Sequence, residues 1–309
     1  MIKHLVISGG SYNGIKIFGI LYELARKDFY HIKDIMSIYC TSVGSIIGAI
    51  ISLDIDYDDI FKYIHKRPWY KITNIKNLSF TKKGLLDKSF IEDIVKPVLQ
   101  SKNISTNITL LELYKYNNID LHIFTTKLND MTLVNMSYKT HPHIKLVDAL
   151  YMSSAIPYFL EPHYYENEFY IDGGVLCNFP LDHCNEDPNT ILGIHTNSST
   201  NNSLQNNIDS TMIEYFIYLN YSLFRSISNK PTTTIKNDIE IKTKPIERNL
   251  FYNLLRSSDI RLEFLEEGQS IAMDFLDKLD NRGDDGENVY NEINNEYEDD
   301  WLCITSFSC

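Results

Sequence analysis

The sequence has no uninterrupted apolar run of about 18 residues, so none of its segments reads as a membrane-spanning helix. Its opening, Met1-Ile-Lys-His-Leu-Val-Ile-Ser8, lacks the apolar stretch of about 7–15 residues that a signal peptide carries, and it reads instead as a strand of the fold. Paired CxxC spacings are missing too. Cys40, Cys177, Cys184, Cys303 and Cys309 form an odd set, which argues against a disulfide frame or a zinc site and for reduced thiols in the cytoplasm. There is no basic stripe: net charge is −12, and phosphate contact needs clustered Lys and Arg, so nucleic acid is excluded as a partner. Neither GxGxxG nor GxxxxGKS/T occurs, which excludes the usual nucleotide cradles.

What remains is a globular chain. Its 309 residues, 43% of them hydrophobic, can bury one large core. Charge is unevenly placed: between residues 279 and 300 nine acids face Arg282 alone, a local balance of −8 that leaves −4 for the rest. Residues 279–309 therefore read as an acidic, flexible extension beyond a domain at 1–278.

Along that domain, apolar spacing predicts strands at 4–8, 35–40, 120–128, 131–136, 168–171, 190–195 and 239–241. Helices are expected at 15–24, 43–53, 56–65, 88–99, 145–152, 212–227 and 260–279. The Asn/Ser/Thr-rich stretch 196–209 reads as a loop. Alternating strands and helices predict an α/β fold, a sandwich around a mostly parallel sheet.

Three short stretches carry chemistry. Cys40-Thr-Ser42-Val-Gly44 lies where a strand gives way at once to an apolar helix, the form of a turn that lifts a serine hydroxyl over a sheet edge. An ordinary helix N-cap accounts for Ser42 equally well on this stretch alone. Gly9-Gly10-Ser11 follows the first strand, and Gly14 follows soon after; backbone amides turned one way there would suit an oxyanion. Asp172-Gly173-Gly174 ends another strand with a bare turn, so that a carboxylate could reach a neighbouring loop.

Taken together and in this order, the stretches resemble the patatin-like phospholipases, whose pattern is a glycine-containing oxyanion loop, a GxSxG elbow and a later Asp-Gly-Gly or Asp-Gly-Ala. Gly84-Leu-Leu-Asp87, Ser153-Ser-Ala-Ile-Pro157, Asn178-Phe-Pro180 and Glu267-Gly-Gln-Ser-Ile-Ala272 extend the likeness over about residues 1–278. The resemblance implies a three-layer α/β/α sandwich and a serine acyl hydrolase that needs no metal or other cofactor. Ser42 would be the nucleophile and Asp172 its partner, forming an acyl-serine intermediate from phospholipid or a related lipid ester. Gly9, Gly10 and Ser11 would supply the oxyanion hole, with Cys40, Gly44, Gly14 and Gly173 supporting the elbow and loops. Two positions depart from the family pattern. Cys40 replaces the elbow's first glycine, and Asn13 stands where the family has Arg or Lys, weakening contact with a lipid phosphate.

Two rival readings follow from the same residues. An α/β-hydrolase triad would need His183 or His195 as its base, yet only 41 residues precede Ser42, too few for that fold's elbow. A lipid-binding scaffold without activity would explain Cys40 and Asn13 but not the presence of both Ser42 and Asp172. A lipid substrate implies peripheral membrane contact, and the aromatic and basic stretch 61–71 is the sequence's own candidate for it.

Overall fold

The structure is a computed structural model that describes residues 1–72, 83–198, 222–223, 226–228, 230–243 and 250–284. Its spine is an eight-stranded sheet. Strands β1 (His4–Ile7) and β2 (Ser37–Thr41) lie side by side and parallel, with Leu5 opposite Ile38 and Ile7 opposite Cys40. Between them the chain climbs through helix α1 (Gly14–Arg26), and after β2 it enters α2 (Val43–Ile51) directly. The excursion that follows contains α3 (Tyr57–Lys66), strand β3 (Gly84–Leu86), α4 (Ser89–Ser101) and α5 (Leu110–Asn117). The chain then returns to the sheet as β4 (Asp120–Lys127) and β5 (Thr132–Met136). Helix α6 (Leu146–Ser154) leads to β6 (Tyr158–Leu160), β7 (His163–Tyr165) and β8 (Glu168–Asp172). Strands β9 (Ile191–Ser198) and β10 (Asn237–Thr243) complete the far edge, followed by α7 (Leu250–Arg256) and α8 (Ser258–Asp284).

Strand order is β10-β9-β1-β2-β4-β8-β7, with β5 on the other flank of β4; β3 and β6 form a separate pair. From β10 to β4 all neighbours are parallel, and β5, β7 and β8 add an antiparallel end. The sandwich expected from the sequence is the fold observed. Strand alternation sorts the core: Leu5, Ile7, Ile38, Ile123 and Leu192 face the helical layer of α1, α2 and α6, where the larger cluster lies. Val6, Tyr39 and Phe124 face the opposite side, where Phe179, Leu181 and Cys184 cover them from the short turns after β8. Helix α8 seals the first layer by crossing α1 at Gly19 and Gly268, where a side chain on either would collide with the other helix's backbone.

One register places the site. Phe124 of β4 pairs with Thr41, the last residue of β2, while the next residue, Thr125, pairs with Asp172, the last of β8. β2 and β8 share one flank of β4 and approach from opposite directions. Their ends therefore meet, and Ser42 and Asp172 lie face to face 130 residues apart in sequence.

Some expectations need correction. β9 continues through Ser198, because Thr196, Asn197 and Ser198 keep register with β10, so the polar stretch from 196 does not begin as a loop. Helix α8 runs on to Asp284 rather than ending at 279. The predicted helix at 212–227 falls almost wholly outside the described residues, as do Cys303 and Cys309. Cys40, Cys177 and Cys184 are buried free thiols. Among the described residues no helix is long and apolar enough to cross a membrane.

Candidate active site

β2 ends at Thr41 and α2 begins at Val43, which leaves Ser42 alone to reverse the chain. It does so at φ 54° and ψ −129°, a left-handed conformation costing a non-glycine residue about 1–3 kcal/mol. Several hydrogen bonds hold that strain. The Ser42 N–H donates to Ser153 Oγ at 2.8 Å, and Ser153 Oγ donates to the Phe124 carbonyl at 2.6 Å, tying the turn to α6 and β4. The Ser42 carbonyl accepts from Ser45 N (2.8 Å) and Ser45 Oγ (2.6 Å), the first bonds of α2. Thr41 Oγ1 donates to the Cys177 carbonyl at 3.0 Å. Gly44 lets α2 start this close to the sheet, since a Cβ there would lie 2.5 Å from the Ser8 carbonyl oxygen. Cys40, fully buried, points its thiol toward the bare Cα of Gly48 and donates to the His122 carbonyl at 3.2 Å, so the elbow tolerates a side chain at its first position.

Asp172 is held as firmly. Its N–H donates to the Ala155 carbonyl at 3.0 Å, and its Oδ1 accepts the Gly174 N–H at 2.7 Å. Gly173 lies against β4, where a Cβ would run into the Phe124 carbonyl. The second oxygen, Oδ2, accepts the Ser42 hydroxyl at 2.6 Å, with both residues about 95% buried. Burial pushes the Asp172 carboxyl up to about 6, against the hydrogen bonds from Ser42 and Gly174, which pull it down. Such a carboxylate is ionised at neutral pH yet basic enough to accept a proton from a hydroxyl in the course of attack.

The glycine loop lies beside this pair. The Gly9 N–H is already donated to the Asn178 carbonyl at 3.0 Å, so of the three expected oxyanion residues Gly9 contributes space instead: a Cβ on it would approach Ser42 Cβ to 3.1 Å. Among the described residues the N–H groups of Gly10 and Ser11 have no acceptor. Ser11 is left-handed at φ 51°, and Asn13 braces the loop by donating to the Gly10 carbonyl from its backbone N (3.0 Å) and its Nδ2 (3.2 Å). Asn13 is thus a neutral brace of the glycine loop. Gly14 seats the start of α1 against Val43, and the N-terminus of α2 directs its dipole at the same spot.

The two histidines of the triad reading lie elsewhere. His183 is exposed on a turn beside Phe124, and His195 stacks on Phe179 with its Nε2 3.2 Å from Asp238. No periodicity or turn signal in the sequence marks the roles of Ser153 and Asn178. Asn178 wedges its carboxamide between Gly9 and Gly174. Two surface hollows of about 460 and 370 Å³ touch neither Ser42 nor Asp172, so the site is identified by its chemistry and not by cavity size. Among the described residues no group of three or more His, Cys, Asp or Glu side chains converges as a metal would require.

Comparison with known proteins agrees with the geometry. The model of the patatin-like phospholipase family matches residues 5–184, more than half of the chain and a span that includes Ser42 and Asp172. The uncharacterized protein R571 of Acanthamoeba polyphaga mimivirus is 25% identical over 263 residues, covering 82% of this chain and 87% of that one. A probable lipid hydrolase, 463L, of Invertebrate iridescent virus 6 is 30% identical over 184 residues, covering 58% of this chain and 62% of that protein. Among solved structures, VipD from Legionella pneumophila superposes with a TM-score of 0.59 at 17% identity, over 90% of this chain and 67% of its own, a likeness of fold. The chain is a member of the patatin-like phospholipase family.

Proposed function

We propose that the protein is a serine acyl hydrolase that cleaves fatty acyl esters of phospholipids or related lipids through Ser42 and Asp172. The observation that carries this reading is the 2.6 Å hydrogen bond from the Ser42 hydroxyl to a buried carboxylate, beside two backbone N–H groups with no acceptor among the described residues. Ser42 Oγ attacks the acyl carbonyl carbon while its proton passes to Asp172 Oδ2. The carbonyl oxygen becomes an oxyanion, received by the N–H groups of Gly10 and Ser11, each worth roughly 3 kcal/mol in the transition state. Collapse breaks the ester C–O bond, and the leaving alkoxide takes the proton from Asp172. Water then attacks the acyl-serine, Asp172 accepts its proton, and breakdown releases the fatty acid and returns the proton to Ser42.

In this reading residues 1–278 form the hydrolase domain and the acidic residues 279–309 lie outside the catalytic machinery. The enzyme works in the cytoplasm, peripherally at lipid surfaces, in keeping with its buried free thiols. The test is fluorophosphonate labelling of wild type, Ser42→Ala and Asp172→Asn, alongside fatty acid release from mixed phospholipid micelles in EDTA. Wild type is expected to label and to release fatty acid, and Ser42→Ala to do neither. Labelling that survives Ser42→Ala would move the nucleophile elsewhere, and a wild type without either activity would leave a lipid-binding scaffold.

A further inference from the structure

β4 and β8 do not stop at the level of Ser42. β4 runs on past Thr125, the partner of Asp172, and its turn into β5 begins at Leu128, three residues or about 10 Å beyond the carboxylate. The turn from β7 into β8 lies at the same height, with Tyr164 opposite Phe169. The two turns are stapled together: Leu128 N donates to the Phe169 carbonyl at 2.7 Å, and Phe169 N donates to Asn129 Oδ1 at 2.8 Å. On this ordered base three large apolar or amphipathic side chains stand out, with Leu128 42%, Met131 44% and Tyr164 58% exposed. Hydrogen-bonded turns that hold such side chains in solvent, at the sheet edge carrying Ser42, are a surface waiting for an apolar partner.

The charges around them narrow the partner. Across 127–131 and 163–169, Lys127 faces Asp130, Glu166 and Glu168, a balance of −2 that Lys83, lying over the Phe169 ring, reduces to −1, and Lys127 is itself committed to Asp130 at 2.7 Å. An anionic bilayer would repel this rim. The basic stretch 61–71 does not compensate. Arg67 lies over the rings of Tyr63 and Trp69, Trp69 Nε1 donates to the Ile64 carbonyl at 2.8 Å, and the carbonyls of Ile64, His65 and Arg67 accept from the buried Arg261 guanidinium. Phe61, Tyr63 and Trp69 are committed to the fold, which leaves Tyr70, 47% exposed, as the outward aromatic of this stretch.

We propose that the paired turns bearing Leu128, Met131 and Tyr164 seat the enzyme on a zwitterionic lipid surface, bringing the Ser42 edge down to the headgroups. The inference rests on the acyl-hydrolase reading for its purpose but not for its test. Insertion to about 5–10 Å, the depth typical of interfacial segments, matches the height of the turns above Asp172.

The experiment uses the full chain in a Ser42→Ala background, so that no lipid is turned over. Met131→Trp is mixed with phosphatidylcholine vesicles, with and without about one-third phosphatidylserine, and its emission is compared with that of the parent, which retains Trp69 and Trp301. A blue shift and quenching by doxyl-labelled phosphatidylcholine are expected, weaker when phosphatidylserine is present. Leu128→Ser combined with Tyr164→Ser is expected to lower vesicle partitioning at least about tenfold with an unchanged melting temperature. An emission unmoved by phosphatidylcholine, or binding that needs phosphatidylserine and fades with salt, would overturn the proposal. A double variant that partitions like its parent would do the same. Each outcome is independent of whether wild type hydrolyses lipid.

Discussion

The sheet buries a carboxylate at each end, and the two are treated in opposite ways. At the amino ends of the strands Asp120 lies 3.3 Å from His122 Nε2 and 2.8 Å from Lys139 Nζ, in a polar cluster where His4 meets Ser37 at 2.7 Å and the His122 ring stacks on Tyr39. Burial pushes the Asp120 carboxyl up, but the hydrogen bonds and charges of His122 and Lys139 outweigh it and hold the group below the usual carboxylate range. At the carboxyl ends Asp172 has only neutral donors, Ser42 and Gly174, and burial pushes it up to about 6. The cationic pairing of Asp120 leaves it a weak base. Nearby Asn118 is left-handed at φ 57°, but as the ordinary C-cap of α5, its N–H donating to the Tyr114 carbonyl at 2.7 Å. A buried carboxylate is thus ordinary architecture when cationic neighbours hold it below its usual range, and a candidate for chemistry when neutral partners leave it basic beside a strained turn.

The sharpest way to break this contrast is to neutralise each carboxylate in turn. Ser42→Ala and Asp172→Asn are expected to lower lipid ester hydrolysis by about 10³-fold or more, whereas Asp120→Asn leaves kcat within about twofold and lowers stability by roughly 1 kcal/mol, read by denaturant unfolding. Stability should separate them as well. A carboxyl raised in the folded state contributes fully only below its unfolded value and loses that contribution as pH rises through about 6, so ionised Asp172 costs roughly 3 kcal/mol at pH 8. Asp172→Asn should therefore melt at or above the wild-type temperature at pH 8, and a clear loss of stability there would refute the strained-base view. Asp120 runs the other way: its contribution is present at neutral pH and fades as pH falls through its lowered value.

The same raised group sets the pH profile. kcat/KM should fall about tenfold per pH unit below about 6 as Asp172 is protonated and can no longer accept the Ser42 proton. A profile flat down to pH 4.5 would mean that another group is the base. Ser153→Ala comes next in size. It strands the buried Ser42 N–H and Phe124 carbonyl, costing about 1–3 kcal/mol, and a loosened elbow should lower kcat roughly tenfold with KM little changed. Threonine at 153 keeps the hydroxyl and should restore much of the rate.

How far the contrast could be read in advance depended on the kind of signal. The Ser42 turn and the Asp172 turn announce themselves because each sets glycine within two residues of a polar residue at a strand end, and turn chemistry is local. Ser153 is silent in sequence, since its role is a bridge to backbone atoms 111 and 29 residues away. Helix α5 gives little periodic signal although Thr109 and Glu112 make a capping box, because its eight residues present only Leu110 and Leu113 to the core. β3, β6 and β7 have three residues each, too few for alternation to show. β9 outran its apolar stretch because register with β10, and not hydrophobicity, carries Thr196 to Ser198. The Asp120 cluster is hidden for the complementary reason: its members come from four separate segments, and none is unusual where it stands.

The smallest expected effect probes how much the active end depends on its braces. Asn13 secures the Gly10 carbonyl twice, and Asn13→Ala removes only the 3.2 Å side-chain bond, leaving the 3.0 Å backbone bond in place. Losing one neutral hydrogen bond of a doubly held peptide costs about 0.5–1 kcal/mol, which predicts roughly a threefold fall in kcat. Because that peptide links Gly10 to Ser11, its orientation fixes where the Ser11 N–H points, and the loss should fall on the chemical step while KM stays near wild type. A hundredfold fall would mean that the single side chain, and not the turn, orients the Ser11 amide. An unchanged kcat would mean that the backbone bond alone suffices, which would leave Ser153 and Asn178 as the side-chain braces at this end of the sheet.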